Sequence, residues 1–195
     1  MGTQTLLTIA DVKQAGELTS SAHDNRIRLL IASVLAAAES YCRRKFSMDT
    51  FTEYKDIQHS TPSIQVDNPP WVSITSLADD FPDGNRTIDA TVNVVTAQEY
   101  KDRGEVRLYE GESTFAGGVI SVKVVYVGGW SASTFPVELK DTLCQEVLFR
   151  LNNSERVGIA SQSADGASVS YATRNGFASD VADVLDHYRQ WHRCL

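Results

Sequence analysis

The chain has 195 residues, of which 42% are hydrophobic and 22% charged, as in an ordinary globular protein. Its formal net charge is -7, which argues against a protein that grips DNA, because phosphate binding requires a surplus of Lys and Arg. Cys42, Cys144 and Cys194 are odd in number and far apart, so they predict no disulfide framework and favour a reducing compartment. No apolar run reaches the roughly 18 residues of a membrane span.

Two helices are predicted near the N-terminus. Thr8 followed by Asp11 is a capping pattern, and it begins a short helix over residues 9–18. Apolar residues at spacings of three and four predict a longer helix over residues 26–44, with a basic last turn. Its expected buried stripe consists of Ile27, Leu30, Ile31, Val34, Leu35, Ala38 and Cys42.

After Phe46 the apolar period changes from 3.6 to 2, which predicts half-buried strands. Pro69 and Pro70 indicate a turn, because proline cannot donate to a ladder. Residues 78–86 read as a loop, since Asp, Gly and Asn at 83–85 tolerate positive φ. The strand candidates are residues 51–58, 63–66, 72–77, 90–96, 104–111 and 119–127.

The helical period returns at Pro136, which suits a first helical position. The predicted stripe of this third helix is Leu139, Leu143, Cys144, Val147, Leu148 and Leu151, and the helix ends at Asn152 and Asn153. Residues 154–176 are rich in Ser, Ala, Gly and Asn and predict an exposed polar arm or long loop, in which residues 168–173 alternate like a strand. A final helix, capped by Ser179 or Asp180, would bury Val181, Val184, Leu185, Tyr188 and Trp191 on one face.

Strands clustered between helical ends predict the α+β class. We expect a helical core of two N-terminal helices, one central helix and one C-terminal helix, with an inserted antiparallel β subdomain. The expected organisation is a single domain over residues 1–195, with the helical core at 8–46 and 135–153. The β-rich insertion would cover 47–130, the polar arm 154–176 and the C-terminal helix 178–193.

The joint of residues 122–151 has the order strand, double glycine, loop and helix, which phosphate-binding loops also use. Such loops need a lysine before the helix and a further glycine, and neither follows Gly128 and Gly129. Pro136 also removes one backbone N–H that could hold an anion. The two glycines are therefore expected to serve backbone geometry.

Other chemistry is weakly supported by the residues. His187 and His192 are five apart near Cys194, whereas zinc ligands on a helix prefer a spacing of four. Residues 79–85 lack the acidic alternation of a calcium loop, and no nucleophile-elbow pattern occurs. We predict no catalytic, cofactor-binding or metal-binding residue, and the remaining profile is that of an interaction protein.

Five segments, in order along nearly the whole chain, resemble the head–tail connector (adaptor) family of tailed double-stranded DNA phages and related prophage and gene-transfer particles. The segments are residues 6–14, 24–46, 66–77, 124–151, and 161–173 with 181–191. The fourth is the most telling, because it combines Tyr126, Gly129 and Trp130 at a strand end with a proline-containing loop and a leucine-bearing helix.

This resemblance implies a structural, non-enzymatic protein of the virion neck, assembled in the host cytoplasm, with no cofactor. It would form a ring, usually of twelve subunits, under the portal protein and extend the DNA channel. Its partners would be the portal, the next neck or tail-completion protein and its own copies, with DNA only passing through and no membrane. An acidic channel wall would let DNA slide.

The resemblance also suggests two interaction segments. In such proteins the C-terminal segment commonly engages the portal, which here implies Val184, Leu185, Tyr188, Arg189, Trp191, His192 and Arg193. The polar arm is expected to order against a neighbouring subunit, through Ser161, Ser163, Ser168, Val169 and Tyr171.

Two alternatives stay open. A stopper or tail-completion protein would occupy the same neck, but stoppers of this kind are mainly small β-barrels, and the strong terminal helices favour the adaptor. A hydrolase or ligand-binding enzyme would use the β insertion, and it would require polar side chains that converge in a pocket.

Overall fold

The computed structural model describes residues 5–57, 59–79, 86–109, 114–115, 117–153, 161–164, 167–170, 173–174 and 176–189. The chain divides into a β unit, Lys45–Ser131, and a helical unit, Thr5–Arg44 with Ala132–Leu195. Helices and antiparallel strands make up the described chain, which confirms the predicted α+β class.

The helices in chain order are α1 (Ile9–Ala15), α2 (Asp24–Cys42), α3 (Ala90–Asn93), α4 (Gln98–Arg103), α5 (Val137–Asn152) and α6 (Ser179–His187). The strands are β1 (Asp49–Ile57), β2 (Ser63–Gln65), β3 (Trp71–Asp79), β4 (Arg86–Ile88), β5 (Glu105–Arg107), β6 (Gly118–Gly128), β7 (Ser161–Ala164), β8 (Ala167–Ser170), β9 (Thr173–Arg174) and β10 (Phe177–Ala178).

The two N-terminal helices begin and end for local reasons. The predicted cap of α1 is confirmed, since Thr8 Oγ1 accepts from the Asp11 N–H at 3.2 Å and Asp11 Oδ2 accepts from the Thr8 N–H at 2.8 Å. Helix α2 ends two residues earlier than predicted, because Arg43 has a left-handed backbone with φ 55°. The residues that α2 buries are Ile27, Ile31, Val34, Ala38 and Cys42, while Leu30 and Leu35 are half-buried.

Helix α5 packs against both N-terminal helices. Pro136 is its N-cap and not its first helical residue, which corrects the prediction by one position. Its buried residues are Leu139, Thr142, Leu143, Cys144, Glu146 and Val147, so the predicted stripe is confirmed for four residues and extended by two polar ones. Helix α6 packs on α2 and α5. Ala178 is its N-cap, and no side chain caps the helix, so the predicted Ser179 or Asp180 cap is wrong.

The β unit is organised around β6. The four-stranded antiparallel sheet has the order β1-β6-β3-β4, and in its register Phe51 faces Tyr126 and Leu77 faces Val124. Strands β2 and β5 pair separately. The core of this unit consists of Ile64, Val66, Trp71, Leu77, Ile88, Val94, Val106, Leu108, Phe115, Val122, Val124 and Tyr126.

One predicted strand of the β unit is wrong. Residues 90–96 form helix α3 and a single bridge at Val94. The Asp89 side chain accepts from the Thr91 N–H at 2.9 Å and caps this turn, which outweighs the β preference of Thr and Val. Helix α4 was not predicted at all, because its six residues are too short to show an apolar period.

The Pro69–Pro70 turn is confirmed, and its peptide bond is cis. Side chains of the sheet hold the residues before it. The Asn68 N–H donates to the Tyr126 hydroxyl at 3.0 Å, and the Asp67 N–H donates to the Glu53 carboxylate at 3.0 Å. Tyr126 in turn donates to Glu53. Residues 80–85, most of the predicted loop at 78–86, lie outside the described residues.

The polar arm contains a hairpin. Strand β7 pairs antiparallel with β8, and Ser163 faces Ser168 in their register. Strand β9 pairs with β10 just before α6. The alternation at residues 168–173 thus indicated a strand correctly for the part that lies in β8, while Tyr171 lies outside the described residues.

Candidate interaction site

The double-glycine joint is closed by backbone contacts. The Gly129 N–H donates to the Pro70 carbonyl at 2.9 Å, and the Trp130 N–H donates to the Phe46 carbonyl at 2.8 Å. A Cβ on Gly129, whose φ is +90°, would lie 2.6 Å from the Ser47 carbonyl oxygen. Because these amides already have backbone partners, they do not form an anion cradle, and the predicted geometric role of the glycines is confirmed.

Among the described residues, no three His, Cys, Asp or Glu side chains stand close enough together to hold a metal ion. None of the described helices is both long and apolar enough to cross a membrane.

Helix α6 is anchored to the helical unit by an apolar face. Val181, Ala182 and Leu185 are buried, and Leu185 is 0% exposed. The Cys42 thiol donates to the Leu185 carbonyl at 3.4 Å, and burial raises the pKa of this thiol to about 12. Cys42 therefore acts as a small apolar group with one weak hydrogen bond and not as a reactive thiol.

A polar contact holds the C-terminal end of α6. The Tyr41 hydroxyl donates to Asp186 Oδ1 at 2.6 Å, and Arg189 Nη1 lies 3.8 Å from the same oxygen. The Arg189 guanidinium also lies over the Tyr41 ring, 5.3 Å from its centroid. Three side chains thus join the end of α6 to the end of α2.

A second polar contact holds the N-terminal end of α6. Glu146, 1% exposed on α5, accepts from Arg150 Nε at 2.7 Å and from the Ala178 N–H at 3.4 Å. Arg150 donates to the Gly176 carbonyl at 3.1 Å and lies over the Phe177 ring, 5.4 Å from its centroid. The end of the arm, at Gly176, and the start of α6, at Ala178, are therefore both hydrogen-bonded to side chains of α5.

The predicted portal-binding residues divide into three groups. Leu185 is fully buried within the helical unit, so in this structure it supports α6. Val184, Tyr188 and Arg189 are half-buried, and burial raises the pKa of the Tyr188 hydroxyl. Trp191, His192 and Arg193 lie outside the described residues.

The predicted arm residues lie in the hairpin. Ser161 and Ser163 are on β7, and Ser168 and Val169 are on β8. The register places Gln162 opposite Val169 and Ser161 opposite Ser170. The backbone thus brings four of the five predicted residues into one small element.

Sequence reasoning missed three residues that hold α6, namely Tyr41, Glu146 and Asp186. For Glu146 a signal was present, because an acid stands between Leu143 and Val147 on the predicted buried stripe. For Tyr41 and Asp186 no signal was present, because they are separated by 145 positions.

The head completion protein family matches residues 5–191, and the chain belongs to this family. No curated protein matches the chain. Family membership supports a structural role in a head–tail connector.

Solved structures with a similar fold come from gene transfer agent particles. A chain from the neck of an empty particle, with C6 symmetry, is 16% identical with a TM-score of 0.56, covering 94% of this chain and 90% of that one. A chain from the neck of the native particle, with C12 symmetry, is 13% identical with a TM-score of 0.55, covering 100% and 98%. A chain from the native virion is 16% identical with a TM-score of 0.55, covering 97% and 92%.

Proposed function

We propose that this protein is a non-enzymatic head–tail connector (adaptor) subunit that forms a ring in the neck of a tailed phage or a related particle. The observation that carries the proposal is the family match over residues 5–191. Further support comes from the similar chains of gene transfer agent particles, which align over at least 94% of this chain; two of them come from necks computed with C6 and C12 symmetry. The ring would lie under the portal and extend the DNA channel toward the next neck or tail-completion protein.

The C-terminal segment is the proposed contact with the portal. Helix α6 is held at both ends by α2 and α5, so it offers a rigid base for the residues that follow it. Val184, Tyr188 and Arg189 keep part of their surface exposed. We expect Trp191, His192 and Arg193 to supply the direct contacts, because Trp and Arg commonly carry binding energy at interfaces.

The arm is the proposed contact with a neighbouring subunit. A hairpin of two four-residue strands has too little apolar surface to be stable alone, which favours packing against another chain. DNA is expected to pass through the ring without tight binding, because the net charge of -7 repels phosphate.

The portal contact is tested by removing residues 190–195. A longer deletion after Gly176 would also remove Phe177, Val181 and Leu185, which are buried in the helical unit. A loss of portal binding in that variant could then result from unfolding. We expect the shortened chain to keep its melting temperature and to lose co-assembly with the portal, measured by electron microscopy of the mixed proteins.

A matched variant in which Gly and Ser replace residues 190–195 separates length from side-chain chemistry. It should fail to bind in the same way. If either variant still co-assembles with the portal, the assignment of the C-terminal segment is wrong. If the full-length chain forms no ring with the portal, the connector proposal itself is wrong.

A further inference from the structure

Two exposed faces of the helical unit have opposite charge. On α2, which is described throughout, the exposed charged residues are Arg26 and Arg28, and neither forms an ion pair with a described residue. On α5, also described throughout, the exposed charged residues are Glu138 and Asp141. The only basic residues of α5 are Lys140 and Arg150. Lys140 forms an ion pair with Asp11, and Arg150 forms one with Glu146.

Each face also exposes one large apolar side chain. Leu29 is 68% exposed between Arg26 and Arg28 around α2, because successive residues are rotated by about 100° on a helix. Val137 is 81% exposed at the start of α5, on the side that also carries Glu138 and Asp141. We define the basic face as Arg26, Arg28 and Leu29, and the acidic face as Val137, Glu138 and Asp141.

The two faces belong to two helices that pack against each other. Helices α2 and α5 are in contact, and each has a buried stripe, which includes Ile31 on α2 and Leu143 on α5. The basic and acidic faces are the parts of these helices that stay exposed to solvent. A head-to-tail contact requires two different patches on one protomer, and such contacts close into a ring when the rotation between copies allows it.

We infer that the basic face of one copy binds the acidic face of the next copy. The occupant is a second copy of this chain because both halves of a charge-complementary contact are present on the same protomer. Leu29 and Val137 would meet at the centre and lose water, while the Arg and carboxylate side chains would pair around them. The exposed neighbours of Leu29 include Ala32 and Ala36, whose small side chains leave room for Val137.

This inference rests on the proposed ring, and charge reversal tests it. The first variant carries Arg26→Glu and Arg28→Glu, and the second carries Glu138→Arg and Asp141→Arg. Each places like charges across the contact, so each should lose the ring on the portal and weaken self-association by about tenfold or more. The variant with all four changes exchanges the two faces and should form rings again.

Ring formation is measured by electron microscopy and native mass spectrometry of the full-length chain with the portal. The substituted residues are exposed, so the melting temperature should fall only slightly, mainly where Glu138→Arg removes an acid from the first turn of α5. Recovery of rings in the quadruple variant excludes misfolding as the cause of their loss. Arg103→Glu, an exposed reversal on α4 in the β unit, is the control and should leave the ring intact.

The outcomes separate the two proposals. If either charge-reversed variant still forms rings on the portal as the wild type does, the contact between the faces is wrong and the connector function still stands. Loss of rings in both variants without recovery in the quadruple variant would also overturn it. Absence of rings from the wild-type chain on the portal would overturn the connector function, and the contact with it.

Discussion

Glu146 is a buried carboxylate of α5 that holds the start of α6 in place. It occupies the apolar stripe of α5 between Leu143 and Val147, where an unpaired carboxylate would be costly. Its partners are Arg150, in the last turn of α5, and the N–H of Ala178, the N-cap of α6. The carboxylate therefore orders the start of α6, which in turn carries the proposed portal segment.

Replacing Glu146 with Ala should lower the free energy of unfolding by about 2 kcal/mol, because it leaves Arg150 and the Ala178 N–H without their acceptor. Solvent reaches Arg150, 25% exposed, which keeps the loss below that of a fully buried pair. Glu146→Gln should lose less, since the amide oxygen still accepts. Urea unfolding measures these values, and Gln145→Ala, on the exposed side of α5, should change stability by less than about 0.5 kcal/mol. An equal loss in Gln145→Ala would contradict this role.

Asp11 adds a pH-dependent contact between α1 and α5. Burial raises the pKa of its carboxyl, but hydrogen bonds from Lys140 and Thr8 outweigh burial and hold the pKa below the ordinary value of 3.8. Lys140 Nζ lies 2.6 Å from Asp11 Oδ1. A lowered pKa means that the folded state binds the proton less tightly than the unfolded state, so the contribution is present above pH 3.8 and is lost on further acidification.

Asp11→Asn should therefore be less stable than wild type at neutral pH, by about 1 kcal/mol. The difference should shrink as the pH falls below about 4, where the wild-type carboxylate takes up its proton. Denaturant unfolding between pH 7 and pH 3 measures it. In the Asp11→Asn background, Lys140→Ala should cost less than it does in wild type. A stability difference that is constant with pH would show that the carboxylate charge is not involved.

At the scale of elements, the joint between β6 and α5 depends on glycine. Gly128 and Gly129 bring the backbone close to two other segments, since a Cβ on Gly128 would lie 2.4 Å from the Asn68 carbonyl oxygen. Gly129 adds a positive φ of 90° and a close Ser47 carbonyl. The sequence resembles a phosphate loop at this point because both structures need glycine for close backbone approach. Here the amides of Gly129 and Trp130 donate to backbone carbonyls of the same chain and not to a phosphate.

Gly129→Ala should destabilise the β unit by about 3 kcal/mol or more, because the new Cβ meets backbone and the φ is unfavourable. Gly176→Ala is the matched control: its φ is +84° but nothing lies within 4 Å of its added Cβ. It should cost about 1 kcal/mol from backbone strain alone. Thermal unfolding of both variants compares them, and equal losses would show that the close approach at Gly129 is unimportant.

The elements also show where local sequence is informative. Helices α1, α2 and α5 were predicted because seven or more residues share a cap or an apolar period. Helices α3 and α4 have four and six residues, too few for a period to emerge. Of the predicted stripe of α6, Val181 and Leu185 are buried and Val184 and Tyr188 are half-buried, while Trp191 lies outside the described residues. The helix ends at His187 and not at the predicted residue 193, and polar contacts to α2 hold that end.

At the scale of the whole molecule, the net negative charge is unevenly divided. The β unit has 13 Asp and Glu against 7 Lys and Arg, and the helical unit has 12 against 11, which gives net charges of -6 and -1. The helical unit thus combines near neutrality with separated basic and acidic faces, which suits contact between copies. A formal charge of -6 on the β unit disfavours binding of other anions, which is compatible with the proposed DNA channel.

The sequence by itself determined the α+β class, the buried stripes of the long helices, the bend at Gly128 and Gly129 and the resemblance that the family match confirms. These features depend on residues close together in the chain or on the order of segments along it. The tertiary structure alone decided that Tyr41 meets Asp186 and that the Glu146 carboxylate accepts from the Ala178 N–H. Each of those facts joins residues far apart in sequence, and only the packing of α2, α5 and α6 brings them into a defined relation.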